Sequence, residues 1–367
     1  MHIAILTHGI SPFGHGYCDA FRRAGHKATL LSLTPMSKEA QAASGARIVG
    51  SAGFKPWESE ARWPYARAVL PLRRAVKTLN PDILFGLYLS SAGLLACLSG
   101  HPRVVISAHG GDVHARAKSK VWSRIYRWMA GRACFVHAVS DELADIMAKE
   151  VGLDRSKFVV LPIGIDTRKL VYVDPTQRPG CGEILTTRAY DPVYDQLTFL
   201  RALKLLDARG VTYRGIFASG RRFEGTREAA KVLGLEARTV FLGGYADEEL
   251  SSILGAADIY VSSSKSDGTS QSLLEAMSSG LFPVVSDIPA NRSWVTDGVN
   301  GFLFPAGDEE ALATKLENAM ANASWRAKVA MANRALVEQR GDVYVLTEHL
   351  LRHFERCLTG EPVVCGR

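Results

Sequence analysis

The stretch Ser262-Ser-Ser-Lys-Ser-Asp-Gly-Thr-Ser-Gln-Ser-Leu-Leu-Glu-Ala-Met-Ser-Ser-Gly280, continued by Leu281-Phe-Pro-Val-Val-Ser-Asp287, decides how this chain is read. An apolar strand ends at Ser262, a polar turn fills 263–270, a helix starts near 271, and a second buried strand follows the glycine. Such a turn sets the backbone N–H groups of residues 269–272, with the positive end of a helix dipole, at the carboxyl end of a strand. That is an anion site suited to a diphosphate. Asp267 stands in the turn and Glu275 lies one helical turn inside, so two carboxylates reach the same ligand at different depths. Glu275 follows two leucines and precedes Ala-Met, on a helix face where an unpaired carboxylate is expensive.

Working outward, short apolar runs alternate with amphipathic segments. They fall near 2–7, 27–32, 82–87, 103–107, 133–138 and 158–162, and again at 183–187, 213–218, 239–242, 258–262 and 282–285. Residues 17–24 read as a helix with Tyr17, Ala20, Phe21 and Ala24 on one face, and 308–358 as helical almost throughout. Between the two series, 166–182 holds Asp174, Pro175, Thr176, Pro179, Gly180 and Gly182 and reads as a linker. Buried strands alternating with helices imply parallel sheets covered on both faces. The fold class expected is α/β, with two doubly wound Rossmann-like domains facing across a cleft and helices at the C-terminus. The expected boundaries are 1–165, linker 166–182, 183–340, and a final helix in 341–367 packing back towards the first domain. Ligand then binds at the carboxyl ends of the strands.

The 367 residues exceed one ordinary core. No apolar run reaches eighteen residues, and Met1-His-Ile-Ala-Ile-Leu enters a strand without a basic leader, so a cytoplasmic protein is expected. Cys18, Cys97, Cys134, Cys181, Cys357 and Cys365 are scattered without CxxC spacing, which argues against a disulfide framework or zinc site; Cys97 and Cys134 read as core residues. The net charge of +7 favours anionic partners. Two acid-free basic stretches stand out. Residues 62–77 carry Arg62, Arg67, Arg73, Arg74 and Lys77; 114–132 carry Arg116, Lys118, Lys120, Arg124, Arg127 and Arg132 beside Trp122, Tyr126 and Trp128. Either they meet an anionic membrane surface, which would place the protein peripherally at the inner face, or they are solvated helix faces with their aromatics in the core. No nucleic-acid motif accompanies them. The composition assigns no oligomeric state.

Three further segments carry chemistry. Thr186-Thr-Arg188 follows the first strand of the second series, where an Arg can stabilise charge growing on a leaving diphosphate. Ser107-Ala-His-Gly-Gly-Asp112 follows a buried strand, and its glycines let His109 approach a ligand, with Asp112 as support. Thr7-His-Gly-Ile-Ser-Pro-Phe-Gly-His-Gly16 reads as a glycine-rich loop without the GxGxxG spacing of a dinucleotide site; Gly14 and Gly16 are its main candidates, ahead of His8 and His15.

The sequence resembles the retaining GT-B glycosyltransferases of family 4. The resemblance rests on Asp267 and Glu275 with seven residues between them, on Gly280-Leu-Phe-Pro-Val-Val285, and on Asp297-Gly-Val-Asn-Gly-Phe-Leu303. Pro162-Ile-Gly-Ile-Asp166 and Gly243-Gly-Tyr-Ala-Asp-Glu-Glu-Leu250 extend it over essentially the whole chain. Asp267 replaces the usual Glu, and one extra residue precedes the Pro. The resemblance implies an acceptor-side first domain and a second domain holding a nucleotide-diphosphate sugar of the UDP or GDP type. Glu275 would bond the ribose and Asp267 the sugar hydroxyls. The amides of Gly268, Thr269, Ser270 and Gln271 would support sugar and phosphate, and the base would lie against Gly244 and Tyr245. His109 would meet the transferred sugar near its anomeric centre, and Gly14 and Gly16 would border the diphosphate and acceptor.

Relatives carry a Lys five residues after the Arg; here Val193 stands there, and Lys265, Arg221 and Arg222 are the substitutes. No Asp-x-Asp metal motif is present, so neither a metal nor another cofactor is expected. The expected activity is retaining transfer of a sugar to a hydroxyl of a polysaccharide precursor, glycolipid or small metabolite. The alternatives are a sugar-nucleotide epimerase or phosphorylase, a two-lobed solute-binding protein, and a nucleotide-sugar-binding homologue without activity.

Overall fold

The apolar runs become the strands of two all-parallel sheets. The computed structural model describes residues 1–9, 11–49, 63–178, 182–219 and 224–361. The chain divides into one unit of Met1–Ile163 with Tyr344–Arg367 and a second of Gly164–Val343.

The first unit contains β1 (His2–Thr7), β2 (Lys27–Ser32), β3 (Arg47–Ile48), β4 (Ile83–Leu87), β5 (Val104–Ala108), β6 (Ala133–Ala138) and β7 (Phe158–Val160), in the order β3-β2-β1-β4-β5-β6-β7. Alternate residues of each strand enter opposite apolar layers. Ala4, Leu6, Leu84 and Val136 lie in one layer, and Ile3, Ile5, Phe85 and Phe135 in the other. The second of these layers is closed from the far end of the sequence. Leu350, Leu351 and Phe354, on the helix Val343–Thr359, pack into it, with the Phe354 ring 5.5 Å from Phe85 and 6.1 Å from Phe135.

The second unit contains β8 (Glu183–Thr186), β9 (Arg214–Ala218), β10 (Thr239–Gly243), β11 (Ile259–Ser262), β12 (Phe282–Ser286) and β13 (Phe302–Phe304), ordered β10-β9-β8-β11-β12-β13. Helices Glu309–Ala321 and Ala323–Arg340 complete it and, with Val343–Thr359, make the C-terminal part helix-rich. The stretch 166–178 is fastened to this unit rather than running free. The Val173 N–H donates to the Ser279 carbonyl (3.3 Å), and the buried Arg178 guanidinium donates to the carbonyls of Ser279 (2.6 Å), Val173 (3.2 Å) and Ala257. Gly280 makes this close approach feasible: its φ is +88°, and a Cβ there would lie 2.7 Å from the Val173 carbonyl oxygen. Ile165 pairs with the last residues of the unit, accepting from the Val343 N–H (2.8 Å) and donating to the Gly341 carbonyl (2.9 Å).

Each sheet reverses its winding at one place, between β1 and β4 in the first unit and between β8 and β11 in the second. Loops leave such a point in opposite directions and open a crevice at the carboxyl ends of the strands. The loops after β8 and β11 carry Arg188 and Asp267; those after β1 and β5 carry His8 and His109, and Tyr88 opens the π-helical turn Tyr88–Gly93 directly after β4.

Candidate active site

In the second unit the helix begins at Gln271, and the turn before it brings Asp267 against Arg188. The Arg188 Nη2 donates to Asp267 Oδ2 and to Ser270 Oγ. The two side chains are only 11% and 15% exposed, so this is a largely desolvated pair. Burial alone would lower the Arg188 pKa, but the Asp267 carboxylate outweighs it and the guanidinium is held charged above its ordinary value. Nε of Arg188 is a buried donor without a partner among the described residues. One face of the guanidinium lies 4.8 Å from the Tyr194 ring centroid.

The loop 188–195 is pinned by residues that carry no motif. Gln196 Nε2 donates to the Arg188 carbonyl, and its Oε1 accepts from Thr226 Oγ1 (2.6 Å). Ser263 Oγ lies 3.0 and 2.8 Å from the carbonyls of Tyr194 and Asp195. Asp195 adopts a left-handed backbone (φ 44°), unusual for a non-glycine residue. Its carboxylate meets Lys265 Nζ at 3.1 Å, and the Lys265 N–H donates to the Val193 carbonyl at 2.8 Å. The Lys265 main chain is thus bonded directly to Val193. Arg221 and Arg222 lie outside the described residues.

Glu275 is half-buried and has no hydrogen-bond or ion-pair partner among the described residues. Burial pushes its carboxyl up to about 7; the Arg188 charge opposes that rise and Asp247 adds to it. Tyr245 lies within electrostatic reach of Glu275 and is itself raised to about 12, chiefly by burial. Gly244 beside it is exposed.

The turn is less open than the sequence implies. The Gly268 N–H donates to Asp267 Oδ1 (2.9 Å) and the Gln271 N–H to the Thr269 carbonyl (3.0 Å), so two of the four expected amides are engaged within the turn. Thr269 also has a partner, whereas the Ser270 N–H has none among the described residues. The Gln271 side chain donates to the Gly164 carbonyl at 3.0 Å.

In the first unit Asp112 organises two loops. Its Oδ1 accepts the N–H groups of His109 (3.1 Å) and Gly110 (2.9 Å), and its Oδ2 that of Leu89 (2.7 Å). The His109 ring stacks 4.4 Å from Tyr88 and 5.5 Å from Phe13, centroid to centroid. Both its nitrogens are buried without a partner among the described residues. Burial, helped by His137, lowers its pKa to about 3, so the ring is neutral with one donor and one acceptor unused. His8 is also neutral, lowered to about 4 by burial, with Nε2 3.2 Å from Ser91 Oγ. His15 Nε2 bonds the Gly9 carbonyl at 3.0 Å.

The glycine-rich loop is a correction. The first helix spans Pro12–Arg23, with Ser11 at its N-cap and Pro12 in its first turn, so Gly14 and Gly16 are helical. A Cβ on Gly14 would lie 2.5 Å from Thr7 Cγ2, which makes this glycine a contact between helix and β1; a Cβ on Gly16 would meet nothing within 4 Å. In the stretch 114–132, Tyr126 is buried and donates to the Asp112 carbonyl (2.7 Å), Trp122 is half-buried, and Trp128 is 40% exposed with Arg132 at 5.4 Å. Arg73, in the other basic stretch, donates to the Leu98 carbonyl (3.0 and 2.9 Å), and Arg62 lies outside the described residues. Among the described residues, no group of three or more His, Cys, Asp or Glu is placed to hold a metal, and no helix is long and apolar enough to cross a membrane.

Two family models match the chain, Glycosyl transferases group 1 over residues 181–336 and Glycosyltransferase Family 4 over residues 9–169. The chain is similar to a GDP-mannose:cellobiosyl-diphosphopolyprenol alpha-mannosyltransferase of Xanthomonas campestris, 26% identical over 257 residues, covering 67% of this chain and 65% of that protein. It is also similar to a UDP-Gal:alpha-D-GlcNAc-diphosphoundecaprenol alpha-1,3-galactosyltransferase of Escherichia coli, 25% identical over 272 residues, covering 68% and 69% respectively. Among solved structures, a glycosyltransferase from Rickettsia africae ESF-5 superposes with a TM-score of 0.82 at 14% identity, over 98% of this chain and 99% of that one. Anabaena Alr3699/HepE in complex with UDP superposes with a TM-score of 0.80 at 18% identity, over 97% and 100%. These likenesses establish the fold: two Rossmann-like α/β domains of the GT-B class.

Proposed function

We propose that this protein transfers a sugar from a nucleotide-diphosphate sugar to an acceptor hydroxyl, retaining the configuration at the anomeric carbon and using no metal ion. The observation that carries the reading is one grouping at the winding reversal of the second sheet. There a charged guanidinium with an idle Nε–H, a helix amino end and an unpartnered carboxylate poised near 7 stand together. A diphosphate with a ribose attached matches these groups in charge and in hydrogen-bonding sense.

On this reading Glu275 accepts from the ribose hydroxyls, and the base lies along Gly244 and Tyr245. The bond between the anomeric carbon and the diphosphate oxygen breaks as the acceptor oxygen bonds to the same face of the sugar. The acceptor proton passes to the departing phosphate oxygen. Arg188, through Nε, and the Ser270 N–H take up the charge that develops on the diphosphate, a contribution present chiefly in the transition state. Lys265 supplies the second phosphate cation, since its main chain is bonded to Val193, where relatives carry the lysine. Asp267 holds sugar hydroxyls once the ligand competes for Arg188. In the first unit, neutral His109 exchanges one donated and one accepted hydrogen bond with the transferred sugar, and Asp112 positions it.

The names of the relatives add two expectations. They point to GDP or UDP as the donor nucleotide, and to an acceptor whose sugar is joined through a diphosphate to a polyprenol.

Thermal-shift measurement against UDP, GDP and their sugar conjugates tests the donor. Selective stabilisation by one nucleotide series is expected. Incubation of that donor with acceptor in the presence of a chelator, followed by NMR of the anomeric proton, tests transfer, retention and metal independence together. If no nucleotide stabilises the protein, the reading is refuted.

A further inference from the structure

Away from both strand-end sites, the first unit holds a cavity of about 430 Å³ between the helix Lys120–Arg132 and the turn at 149–152. Five cations line it, Lys118, Lys120, Arg124, Arg127 and Lys149, against the single carboxylate of Glu150. All are exposed, and none of the five cations is ion-paired among the described residues.

Folding does not require this charge. The apolar side of the helix is already packed through Tyr126, Met129 and Ala130. Its first turn contains no acidic residue, and Lys120 occupies the first helical position, where the dipole repels a cation. Lys120, Arg124 and Arg127 follow one another at helical spacing along one face, and Lys149 approaches from a separate segment. Solvent and salt screen part of the repulsion among these exposed groups, Glu150 offsets part, and a bound anion would relieve the rest. The volume falls within the roughly 300–1,000 Å³ of small-ligand sites, but the lining selects charge instead of apolar surface. Two guanidinium forks suit phosphate oxygens. Cations contributed by two segments around one hollow suit a compact polyanion, and an extended anionic membrane surface is the competing occupant that the test below separates.

We propose that this cavity binds the phosphates of the acceptor, as a diphosphate or a closely spaced pair. The inference rests on the glycosyltransferase reading only in taking the phosphate-bearing molecule to be the acceptor.

The test uses the full chain saturated with its stabilising nucleotide, so that the second unit is occupied, and titrates inorganic pyrophosphate by calorimetry. One further pyrophosphate per chain is expected. Its affinity should fall about tenfold or more in a K120A/R124A/R127A variant, with nucleotide affinity and helical circular dichroism unchanged. Lys149→Ala, on the other segment, should weaken it in the same direction. Absence of this second binding event, or equal binding by the variants, overturns the proposal. So does binding to phosphatidylglycerol vesicles that saturating pyrophosphate fails to compete, which would assign the cations to a lipid surface. If no nucleotide binds at all, the enzymatic reading fails separately, and the same titration without nucleotide, compared between wild type and variants, still decides the cavity.

Discussion

Glu275 gives the sharpest test of the proposed donor site, because its two ionisation states have opposite consequences. In the unliganded protein burial raises the carboxyl from 4.5 to about 7. Ribose hydroxyls donate to the carboxylate, so the ionised form is the one that binds. Between pH 8 and pH 6 the ionised fraction falls from about nine-tenths to about one-tenth, and affinity for the donor should fall roughly tenfold, about 1.4 kcal/mol. The ligand should be a nucleotide sugar, whose doubly esterified diphosphate does not titrate here; the terminal phosphate of a free nucleotide would, near pH 6. Glu275→Gln should bind about as weakly at pH 8 as wild type does at pH 6, with no remaining pH dependence.

The same group makes an opposite prediction for stability. A carboxyl with a raised folded-state pKa binds its proton more tightly when folded, so stability declines as pH rises from 4.5 to about 7 and stays reduced above it. The difference amounts to at most about 3 kcal/mol, lessened by residual solvent at a half-buried side chain. Glu275→Gln should therefore melt higher than wild type at pH 8 while binding donor more weakly. A wild-type affinity flat between pH 6 and 8, or an unchanged affinity in the variant, would refute the assignment of Glu275 to the ribose.

Further outcomes follow from the proposed roles and the packing. Arg188→Ala should lower turnover by about 10²–10³-fold while donor affinity falls much less; equal losses in initial-rate and binding measurements would show a ground-state role instead. Lys265→Ala should weaken donor binding about tenfold, and adding Val193→Lys should restore most of it, because the two main chains are directly bonded; no recovery in calorimetry would remove Lys265 from the diphosphate site. Phe354→Ala should destabilise the first unit by about 3–5 kcal/mol in denaturant unfolding, since its ring is fully buried among Phe21, Phe85 and Phe135; a loss below 1 kcal/mol would mean the last helix is dispensable to that core.

Most of the sheet framework was legible because strands of a parallel sheet are buried on both faces and read as continuous apolar runs. The runs at 2–7, 27–32 and 133–138 coincide with β1, β2 and β6. The edge strands β3 and β13, two and three residues long, are too short to show any period. The start of the helix at Gln271 was readable from the polar turn before it. The start at Pro12 carried its own signal, a serine N-cap followed by proline, which three glycines obscured. What no local pattern discloses is who holds whom. Gln196, Tyr194 and Ser263 shape the Arg188 loop from 6 to 75 positions away in sequence, through contacts between ordinary residues that carry no motif. The engagement of the Gly268 and Gln271 amides was equally invisible, because it depends on how the turn closes on itself.

Three titratable groups proposed to meet the donor are set to three different states by one variable, the balance between lost water and a nearby charge. Arg188 is buried beside Asp267 and stays cationic, as a group facing a departing diphosphate must. The His109 ring is buried with no anion bonded to it and stays neutral, which lets one ring offer both a donor and an acceptor to sugar hydroxyls. Glu275 is half-buried with Arg188 in electrostatic reach but not bonded to it, and lies between these limits. Each group leaves at least one hydrogen-bonding atom idle: Nε of Arg188, both nitrogens of His109, the carboxylate of Glu275. For the buried atoms of Arg188 and His109 this idleness costs about 1–3 kcal/mol each. Idle buried atoms also occur away from these loops, at Tyr213, Asn291 and Thr347 for example, so idleness alone marks no site; what distinguishes Arg188 and His109 is that each idle atom stands at the carboxyl end of a parallel strand and matches, in donor or acceptor sense, the part of a nucleotide sugar proposed to meet it.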